Sequence, residues 1–365
     1  MTKRIGIVGG GQLGLMIAQA AGDMGIKCVA LDPAADAPAF AVCEDNIVAP
    51  YDDVEALVKL CEMTDVVTYE FENIPAEVVE LLCSKYNIKQ GCAPLLDSQD
   101  RLREKLGAKI SGLRTPKFAA VNNEGMLKVA IGMIGLPAVL KSRRMGYDGK
   151  GQVVIKSLDD IEEALDLLSV PCILEEFVDF DFEVSTVVVR ADDGYTLFPI
   201  GRNIHRRGVL DLCIVPAEIS HELHKIIERQ TIEFMEKRGY YGILAIEYFV
   251  KGNKVIFNEM APRPHNSGHY TIEGSSSSQF SELVRFLIDE PLQGAVLNAE
   301  SVIMKNILGE DYEEAQKVAQ ESHEGVYVHD YGKSECKKGR KMAHITYVGL
   351  SEAEYRKEWA SRFVE

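Results

Sequence analysis

Strand-like and helix-like hydrophobic patterns alternate along the first quarter of the chain. Residues 5–8 form a short apolar run that predicts a buried strand, and apolar residues then recur at helical spacing over residues 13–24. Two more apolar runs predict strands at residues 28–31 and 65–69. Strands that alternate with helices indicate βαβ units, so we predict an α/β domain with a parallel sheet over residues 1–98.

After residue 98 the pattern changes to shorter strands with fewer helices between them. The predicted strands are residues 138–141, 152–155, 172–175, 183–189, 195–199, 243–250 and 254–260. The predicted helices are residues 157–168, 221–237 and 279–288. This mixture indicates an α+β domain, which we place over residues 99–290 with a smaller lobe at about residues 115–180.

Pro291 marks the expected end of that domain. Strand-like runs follow near residues 301–307, 325–329 and 343–348. They predict a small β-rich C-terminal domain over residues 291–365.

The composition restricts the classes of function. The chain has 365 residues, of which 46% are hydrophobic, enough for two or three domains. Its formal net charge of -16 argues against a nucleic-acid-binding protein. No apolar run approaches the roughly 18 residues that a membrane helix needs, and the eight cysteines form no CxxC pair. We therefore expect a cytoplasmic protein with reduced thiols that contacts neither nucleic acid nor membrane.

A glycine-rich turn follows the first predicted strand. Gly9, Gly11 and Gly14 have the GxGxxG spacing, and Asp32 ends the next strand. Glycines here let a phosphate approach the backbone at a helix N-terminus, so the turn fits a dinucleotide fingerprint. Similar turns also serve other ligands or only allow tight packing, and the motif alone leaves these alternatives open.

A second glycine-rich segment lies between the strands predicted at residues 138–141 and 152–155. After Lys141 it reads Gly146-Tyr147-Asp148-Gly149-Lys150-Gly151-Gln152. Backbone N–H groups and lysines of such a loop can cover a triphosphate, although the spacing is not that of a P-loop. Lys141 ends an apolar strand, which favours a ligand-binding role over an ordinary basic hairpin loop.

The next strand of this lobe ends in acidic residues. The segment is Glu175-Glu176-Phe177-Val178, and Glu183 lies on the following strand. In a nucleotide site this backbone could meet an adenine edge and Glu183 could accept bonds from ribose hydroxyls. Acidic residues often occur at strand ends without having a function, so these residues alone are only weak evidence for a nucleotide site.

Two glutamates interrupt the apolar strands predicted around Gly252-Asn253, a hairpin turn signal. If the hairpin centres on Asn253, Glu247 lies opposite Glu259, with the two side chains on one face. A strict two-residue turn would instead place Asn258 opposite Glu247. Buried carboxylates are costly unless they are paired or bind a metal, so we predict a magnesium site at Glu247 and Glu259.

Polar and basic residues continue beyond the second of these strands. Arg263 can hold an anion, and the nearby His265 and His269 lack the further ligands that a zinc site needs. Later, Lys333 and Arg340-Lys341 form a basic cluster in an acidic protein. That cluster is either solvated or holds a phosphate.

Together the motifs resemble the 5-(carboxyamino)imidazole ribonucleotide synthase family of the ATP-grasp superfamily. The resemblance covers essentially the whole chain, and it is carried by the glycine turn at 9–14, Tyr-Glu-Phe-Glu-Asn-Ile-Pro at 69–75, Gln99-Asp100-Arg101, the 146–152 loop, the segment 258–269, Ser278-Gln279-Phe280 and Gly339-Arg340-Lys341-Met342. It implies a Rossmann-like N-terminal domain, a two-lobed ATP-grasp domain and a β-rich C-terminal domain. ATP, magnesium and bicarbonate are the implied reactants, and a homodimer is the implied assembly.

The resemblance also assigns roles to individual residues. The implied ATP contacts are Arg101, Lys141, Gly146, Tyr147, Asp148, Gly149, Lys150, Gly151, Gln152, Glu175, Glu176, Phe177, Val178, Glu183, His205, Asn258 and Glu259. The implied ribonucleotide contacts are Gln12, Leu13, Glu72, Tyr147, Arg263, His265, Asn266, Ser267, Lys333 and Arg340. Of these, Tyr147, Asp148, Lys333 and Arg340 are the expected catalytic residues. On this view the glycine turn serves the ribonucleotide and not NAD.

The expected reaction is carboxylation of the 5-amino group of 5-aminoimidazole ribonucleotide through carboxyphosphate, with the product passing to the mutase of the same pathway. Two alternatives remain at this point. One is another ATP-grasp carboxylase or a formyl-phosphate ligase with a related acceptor. The other is an NAD-binding dehydrogenase or sensor, which rests on the glycine turn alone and does not account for Glu247 and Glu259.

Overall fold

A computed structural model of the chain describes residues 3–146, 151–321 and 323–363. Its N-terminal part is a four-stranded parallel sheet of order β3-β2-β1-β4. The elements are β1 (Arg4–Val8), α1 (Gln12–Asp23), β2 (Lys27–Asp32), β3 (Asp45–Val48), α2 (Val54–Met63), β4 (Val66–Tyr69) and α3 (Ala76–Lys85). The predicted strands β1, β2 and β4 and the helix α1 are confirmed.

Two helices lead into a second, antiparallel sheet of order β5-β8-β6-β7. The elements are α4 (Ala93–Ser98), α5 (Arg101–Ile110), β5 (Phe118–Val121), α6 (Glu124–Ile134), β6 (Ala138–Ser142), β7 (Gln152–Ile155), α7 (Ile161–Leu165) and β8 (Cys172–Glu176). The single helix predicted over residues 157–168 is instead the short helix α7 between two 3₁₀ turns.

The remaining strands form one nine-stranded sheet. It contains β9 (Phe182–Ala191), β10 (Gly194–Leu197), β11 (Gly201–Arg206), β12 (Val209–Val215), β13 (Gly242–Lys251), β14 (Lys254–Ala261), β15 (Val302–Leu308), β16 (Val326–Asp330) and β17 (Lys341–Val348). The helices around it are α8 (His221–Arg238), α9 (Thr271–Gly274), α10 (Gln279–Ile288), α11 (Tyr312–Glu321) and α12 (Glu352–Glu358). The strand order is β14-β13-β9-β11-β12-β15-β17-β16, and β10 pairs with β9.

This large sheet crosses the boundary that the sequence predicts at Pro291. β12, which precedes that proline, pairs with β15, which follows it, from Leu212 opposite Lys305 to Val215 opposite Val302. The β-rich C-terminal segment therefore extends the sheet of the preceding domain.

Apolar packing joins the N-terminal sheet to the large sheet. Leu13 and Ile17 of α1 share one buried core with Phe280 and Leu283 of α10 and with Val187 of β9. The glycine turn before α1 is thereby fixed relative to the large sheet. Among the residues described, no helix combines the length and the apolar character needed to cross a membrane.

Candidate active site

A continuous cleft of about 1110 Å³ opens where all parts of the chain meet. Gln12 at the start of α1, Lys141 on β6, Glu247 on β13 and Lys333 after β16 each line it. Residues more than three hundred positions apart in the sequence therefore face one space.

The cleft gathers most of the side chains that the sequence analysis selects. Its lining includes Gln12, Leu13, Glu72, Arg101, Lys141, Gly146, Gln152, Glu175, Glu176, Phe177, Val178, Glu183, His205, Glu247, Asn258, Glu259, Arg263, His265, Asn266, Lys333 and Arg340. Gly151 and Ser267 are not part of the lining, although each is next in sequence to a lining residue. Tyr147, Asp148, Gly149 and Lys150 lie outside the described residues.

The hairpin of β13 and β14 brings Glu247 directly opposite Glu259. Near the turn the strands follow the strict two-residue register, with Lys251 opposite Lys254. A bulge then shifts the register, so that Asn258 is the extra residue. The two registers considered from the sequence thus both occur, one on each side of the bulge.

The two carboxylates occupy different electrostatic environments. Burial, together with the carboxylates of Glu183 and Glu259, raises the pKa of Glu247 well above its usual value. Against the effect of burial, Arg101 lowers the pKa of Glu259 to about 2, because its Nη1 lies 3.0 Å from Oε2 of Glu259. One member of the pair therefore favours the neutral form and the other the charged form.

Further potential oxygen and nitrogen ligands surround Glu247. Atoms of Glu183, His205 and Glu247 lie within 4.8 Å of one another. Burial and then Glu259 raise the pKa of Glu183 to about 7. Crowded carboxylates of this kind gain a favourable partner when a divalent cation binds, so Glu183 and Glu247 fit magnesium, whereas Glu259, the second predicted ligand, lies outside this cluster and pairs with Arg101.

Cationic side chains lie on the small-lobe side of the cleft. Nζ of Lys141 lies 2.8 Å from Oε2 of Glu175, and Nζ of Lys105 lies 3.6 Å from Oε1 of the same residue. Against the effect of burial, these lysines lower the pKa of Glu175 to about 2. Nη2 of Arg101 also donates to the carbonyl of Gly146 at 3.2 Å, at the start of the glycine-rich loop.

An aromatic wall lies beside these charges. The rings of Phe180 and Phe249 stack with centroids 4.5 Å apart, and both residues line the cleft. Phe177 is also exposed into this region. A flat, apolar surface next to cationic groups is suited to a nucleotide base and its phosphates.

The opposite part of the cleft contains a preorganised cation. The guanidinium of Arg263 pairs with both carboxylate oxygens of Glu72, at 2.6 and 3.1 Å. Burial, with the charge of Arg263, lowers the pKa of the neighbouring His265 to about 3, so this imidazole is neutral. The amide of Asn266 is buried, and neither its nitrogen nor its oxygen has a hydrogen-bond partner. These groups are available for a polar ligand.

The basic cluster after β16 contacts the glycine turn before α1. Nζ of Lys333 donates to Oε1 of Gln12 at 2.5 Å, although the residues are 321 positions apart. The hydroxyl of Ser334 donates to the carboxylate of Asp36 at 2.5 Å, and Arg340 lines the same part of the cleft. The lysine and the arginine provide positive charge for an anionic group near α1.

The glycine turn itself is filled by the protein's own carboxylates. Glu70, at the end of β4, accepts from the N–H groups of Gly11 and of Gly14, the latter at 2.6 Å. Asp32 accepts from the N–H of Gly10 at 2.8 Å. The groups that would bind a dinucleotide pyrophosphate are therefore occupied, and the NAD alternative loses its structural basis.

A stack of three histidines, of which His269 and His344 are buried, was not predicted. The His344 ring lies 4.8 Å from that of His269 and 4.5 Å from that of His329, measured between centroids. Nε2 of His269 and Nε2 of His344 have no hydrogen-bond partner. The stack connects the segment after Asn266 with strands β16 and β17.

The sequence analysis also missed several charged residues at the site. Glu70 follows a buried strand directly, a signal that could have identified it. Arg143, which forms two hydrogen bonds with Asp100 at 2.9 and 2.6 Å, gives no such signal because its partner is 43 residues away. Glu104 and Lys105 are buried on a polar helix, which the hydrophobic pattern does not mark.

Comparison with known families gives a consistent match. A ribonucleotide synthetase preATP-grasp domain matches residues 1–95, an ATP-grasp domain matches residues 107–280, and a phosphoribosylaminoimidazole carboxylase C-terminal domain matches residues 302–358. The fold is thus a mixed α/β arrangement of these three parts.

Individual relatives share this architecture over nearly their full length. An N5-carboxyaminoimidazole ribonucleotide synthase of Staphylococcus aureus (strain MRSA252) is 41% identical over 349 residues, which cover 94% of this chain and 92% of that protein. A crystal structure of an ADP complex of N5-carboxyaminoimidazole ribonucleotide synthetase has a TM-score of 0.95 and 40% identity, covering 99% of this chain and 96% of that one. The Aspergillus clavatus synthase in complex with ADP and 5-aminoimidazole ribonucleotide has a TM-score of 0.90 and 26% identity, covering 99% and 97%.

Proposed function

This chain belongs to the N5-carboxyaminoimidazole ribonucleotide synthase family, and from that membership we infer that it is an ATP-dependent ligase of purine biosynthesis. It carboxylates the 5-amino group of 5-aminoimidazole ribonucleotide and converts ATP to ADP and phosphate. The observation that carries this assignment is the cleft in which Glu247 and Glu259 lie opposite each other. Cationic residues of the proposed nucleotide side line one part of it, and Lys333 and Arg340 of the C-terminal segment line another.

ATP is proposed to bind on the small-lobe side. The aromatic wall of Phe180 and Phe249 would contact the base, while Lys141 and Arg101 would contact the phosphates. Lys141 forms an ion pair with Glu175, and Arg101 forms one with Glu259. Phosphate oxygens would either replace these carboxylates as partners of the two cations or bind alongside them. The glycine-rich loop at 146–152 is proposed to cover the phosphates, and its central residues lie outside the described part of the chain.

Glu247 and Glu259 are the proposed magnesium ligands. A bound magnesium ion would neutralise charge on the transferring phosphoryl group. Glu247 fits this role because its raised pKa reflects uncompensated negative neighbours, which a cation compensates, and Glu259 fits it as a carboxylate that Arg101 keeps charged.

In the proposed reaction, an oxygen of bicarbonate attacks the γ-phosphorus of ATP and the bond to ADP breaks, giving carboxyphosphate. The 5-amino nitrogen then forms a bond to the carboxyl carbon, or to carbon dioxide released from it, and phosphate leaves. Lys141 and Arg101 stabilise negative charge on the phosphoryl oxygens, and closure of the loop at 146–152 is proposed to exclude water that would hydrolyse the intermediate. Asp148, the proposed group that positions the amine or receives its proton, lies outside the described residues, as does Tyr147.

The ribonucleotide is proposed to bind between the glycine turn and the C-terminal segment. Lys333 and Arg340 would hold its phosphate, and Arg263, His265 and Asn266 would contact its ring and ribose. The neutral imidazole of His265 and the unpartnered amide of Asn266 can both donate and accept hydrogen bonds, as a ribonucleotide requires.

The wider setting of the enzyme is also a proposal. We place it in the cytoplasm, as a homodimer that passes its product to the mutase of the same pathway. The cellular compartment is supported by the eight cysteines, all of which are free thiols.

Phosphate release tests the function. Purified protein should release phosphate from ATP when bicarbonate and 5-aminoimidazole ribonucleotide are both present, and much more slowly when either is omitted. Release that is stimulated equally by an unrelated amine would indicate another ATP-grasp carboxylase or a formyl-phosphate ligase. A thermal-shift comparison should show stabilisation by ADP with magnesium and none by NAD.

A further inference from the structure

Side chains of α5 cover the free edge of β14 where that strand carries its bulge. β14 is the outermost strand of the large sheet, so half of its backbone groups have no neighbouring strand. The N–H of Met260 donates to Oε1 of Glu104 at 2.6 Å, and the carbonyl of Asn258 accepts from Nζ of Lys105. Two backbone groups on either side of Glu259 are therefore held by consecutive residues of one helix.

The same helix also contacts the carboxylate between those two groups. Nη1 of Arg101 lies 3.0 Å from Oε2 of Glu259. Helix α5 thus fixes the backbone before and after this glutamate as well as its side chain.

Glu104 and Lys105 are unusual for residues that only cover a strand edge. Lys105 is completely buried and the exposed fraction of Glu104 is 3%. Exposed edges are commonly protected by charged side chains that stay in water, whereas burying a charge carries a large desolvation cost. Lys105 also pairs with Glu175, at 3.6 Å, yet both Glu104 and Lys105 of α5 end on backbone groups of the same β14 segment, which is better explained by a need to hold that segment in one register.

We propose that Glu104 and Lys105 are positioning residues that maintain the β14 bulge and so keep Glu259 opposite Glu247. This inference rests on the proposed function, in which those two glutamates bind magnesium. Without the bulge, the two-residue turn would place Asn258 opposite Glu247, and a one-residue slip would direct Glu259 to the other face of the sheet. The buried pair on α5 therefore determines whether the cleft contains two opposed carboxylates.

Magnesium-dependent ADP binding tests the proposal without relying on turnover. ADP affinity is measured by titration calorimetry over a series of magnesium concentrations for Glu104→Leu, Lys105→Met and Glu104→Gln. The leucine and methionine variants lose the backbone bond, so the magnesium concentration for half-maximal enhancement of ADP affinity should rise about tenfold or more, as expected for loss of a charge-assisted hydrogen bond. Glu104→Gln keeps an oxygen that accepts from Met260 and should remain close to wild type.

Lys109→Met is the matched control, because Lys109 is an exposed lysine on the same helix. It should leave the magnesium dependence unchanged. If Glu104→Leu does not fold, Glu104→Asp takes its place, since the shorter carboxylate cannot reach Met260 and must show the same weakening. The positioning role would be overturned if folded Lys105→Met kept the wild-type magnesium dependence of ADP binding. It would also be overturned if Glu104→Gln needed as much additional magnesium as Glu104→Leu.

The same experiment separates this proposal from the proposed function. Wild-type protein that binds ADP equally well with and without magnesium would contradict the metal site itself. Wild-type protein with a clear magnesium dependence, combined with unaffected α5 variants, would contradict only the role of Glu104 and Lys105.

Discussion

Glu247 and Glu259 are chemically identical side chains that face each other, but their pKa values are shifted in opposite directions. Glu247 is buried near two other carboxylates, whereas Glu259 contacts Arg101. Replacing each carboxylate by an amide therefore removes a negatively charged metal ligand in both cases but has opposite effects on the free protein.

Glu247→Gln and Glu259→Gln should both reduce turnover severely and remove the magnesium dependence of ADP binding, because each loses a negative ligand. In the absence of metal and nucleotide, Glu247→Gln should be as stable as wild type or more stable, since the amide resembles the favoured neutral acid. Glu259→Gln should be less stable by about 1 kcal/mol, because Arg101 loses its ionic partner. Steady-state kinetics and thermal unfolding of the metal-free proteins provide the measurements. Near-normal turnover in both variants would contradict the metal assignment.

Lys333 and Arg340 allow acceptor binding to be separated from ATP chemistry. Changing either residue to alanine should raise the KM for the ribonucleotide by about ten- to hundredfold, since a charge-assisted phosphate contact contributes roughly 1.5–3 kcal/mol. ADP affinity should stay unchanged. Exposed Lys337 on the same segment gives a control, Lys337→Ala, which should leave both constants unaltered. If the two variants weaken ADP binding as much as ribonucleotide use, the C-terminal segment does not serve the acceptor.

At the scale of elements, the glycine turn and the start of α1 depend on Glu70. Its carboxylate accepts from two N–H groups that a helix N-terminus leaves without partners. A protein side chain thereby takes the place that an anionic ligand has in dinucleotide-binding turns. The helix is thus capped by a residue 56 positions away from Gly14.

Glu70→Ala should lower the free energy of unfolding by roughly 1–3 kcal/mol, because it leaves the N–H groups of Gly11 and Gly14 without their hydrogen-bond partner. Urea denaturation measures this, and Glu70→Gln should recover part of the loss through its remaining acceptor oxygen. Glu80→Ala on the exposed face of α3 should have little effect. Equal stability of the Glu70 and Glu80 variants would mean that the turn does not depend on this cap.

The accuracy of the sequence-based predictions differed between elements for physical reasons. β13 and β14 were predicted because apolar runs lie on both sides of the Gly252-Asn253 turn signal, but the bulge at Asn258 was not, since a hydrophobic pattern does not mark an extra residue in a strand. β11, Gly201–Arg206, was missed because it is largely polar and lines the cleft. Helix α5 was missed because its buried positions include Glu104 and Lys105, which reverses the usual amphipathic pattern. Motifs selected residues that mostly line one cleft, whereas the ion pairs between them required the fold.

At the scale of the whole molecule, buried histidines connect the central segment with the C-terminal strands. Burial lowers the pKa values of His269 and His344 well below 6.5, so both stay neutral in the folded protein. In the unfolded chain they bind protons as the pH falls through about 6.5. Because the unfolded state then holds more protons than the folded state, the stability that the two neutral histidines contribute is present above that pH and is lost progressively below it.

His344→Gln should therefore reduce the slope of unfolding free energy against pH below about 6 by roughly 1.4 kcal/mol per pH unit, the value for one proton. Urea denaturation at a series of pH values measures the slope. Exposed His221 gives the control, since His221→Gln should leave it unchanged. An identical slope in wild type and His344→Gln would show that His344 already binds a proton in the folded state.

The pairing of β12 with β15 has a consequence for how this protein can evolve. A family-level description treats the C-terminal segment as a separate unit, but its first strand continues the hydrogen-bonded ladder of the unit before it. Recombination that exchanged the segment would have to preserve the strand-edge pairing of Leu212–Val215 as well as the surface that brings Lys333 to Gln12. Acceptor specificity in this architecture is therefore expected to change through substitutions within one inherited chain, and not through the exchange of C-terminal units between genes.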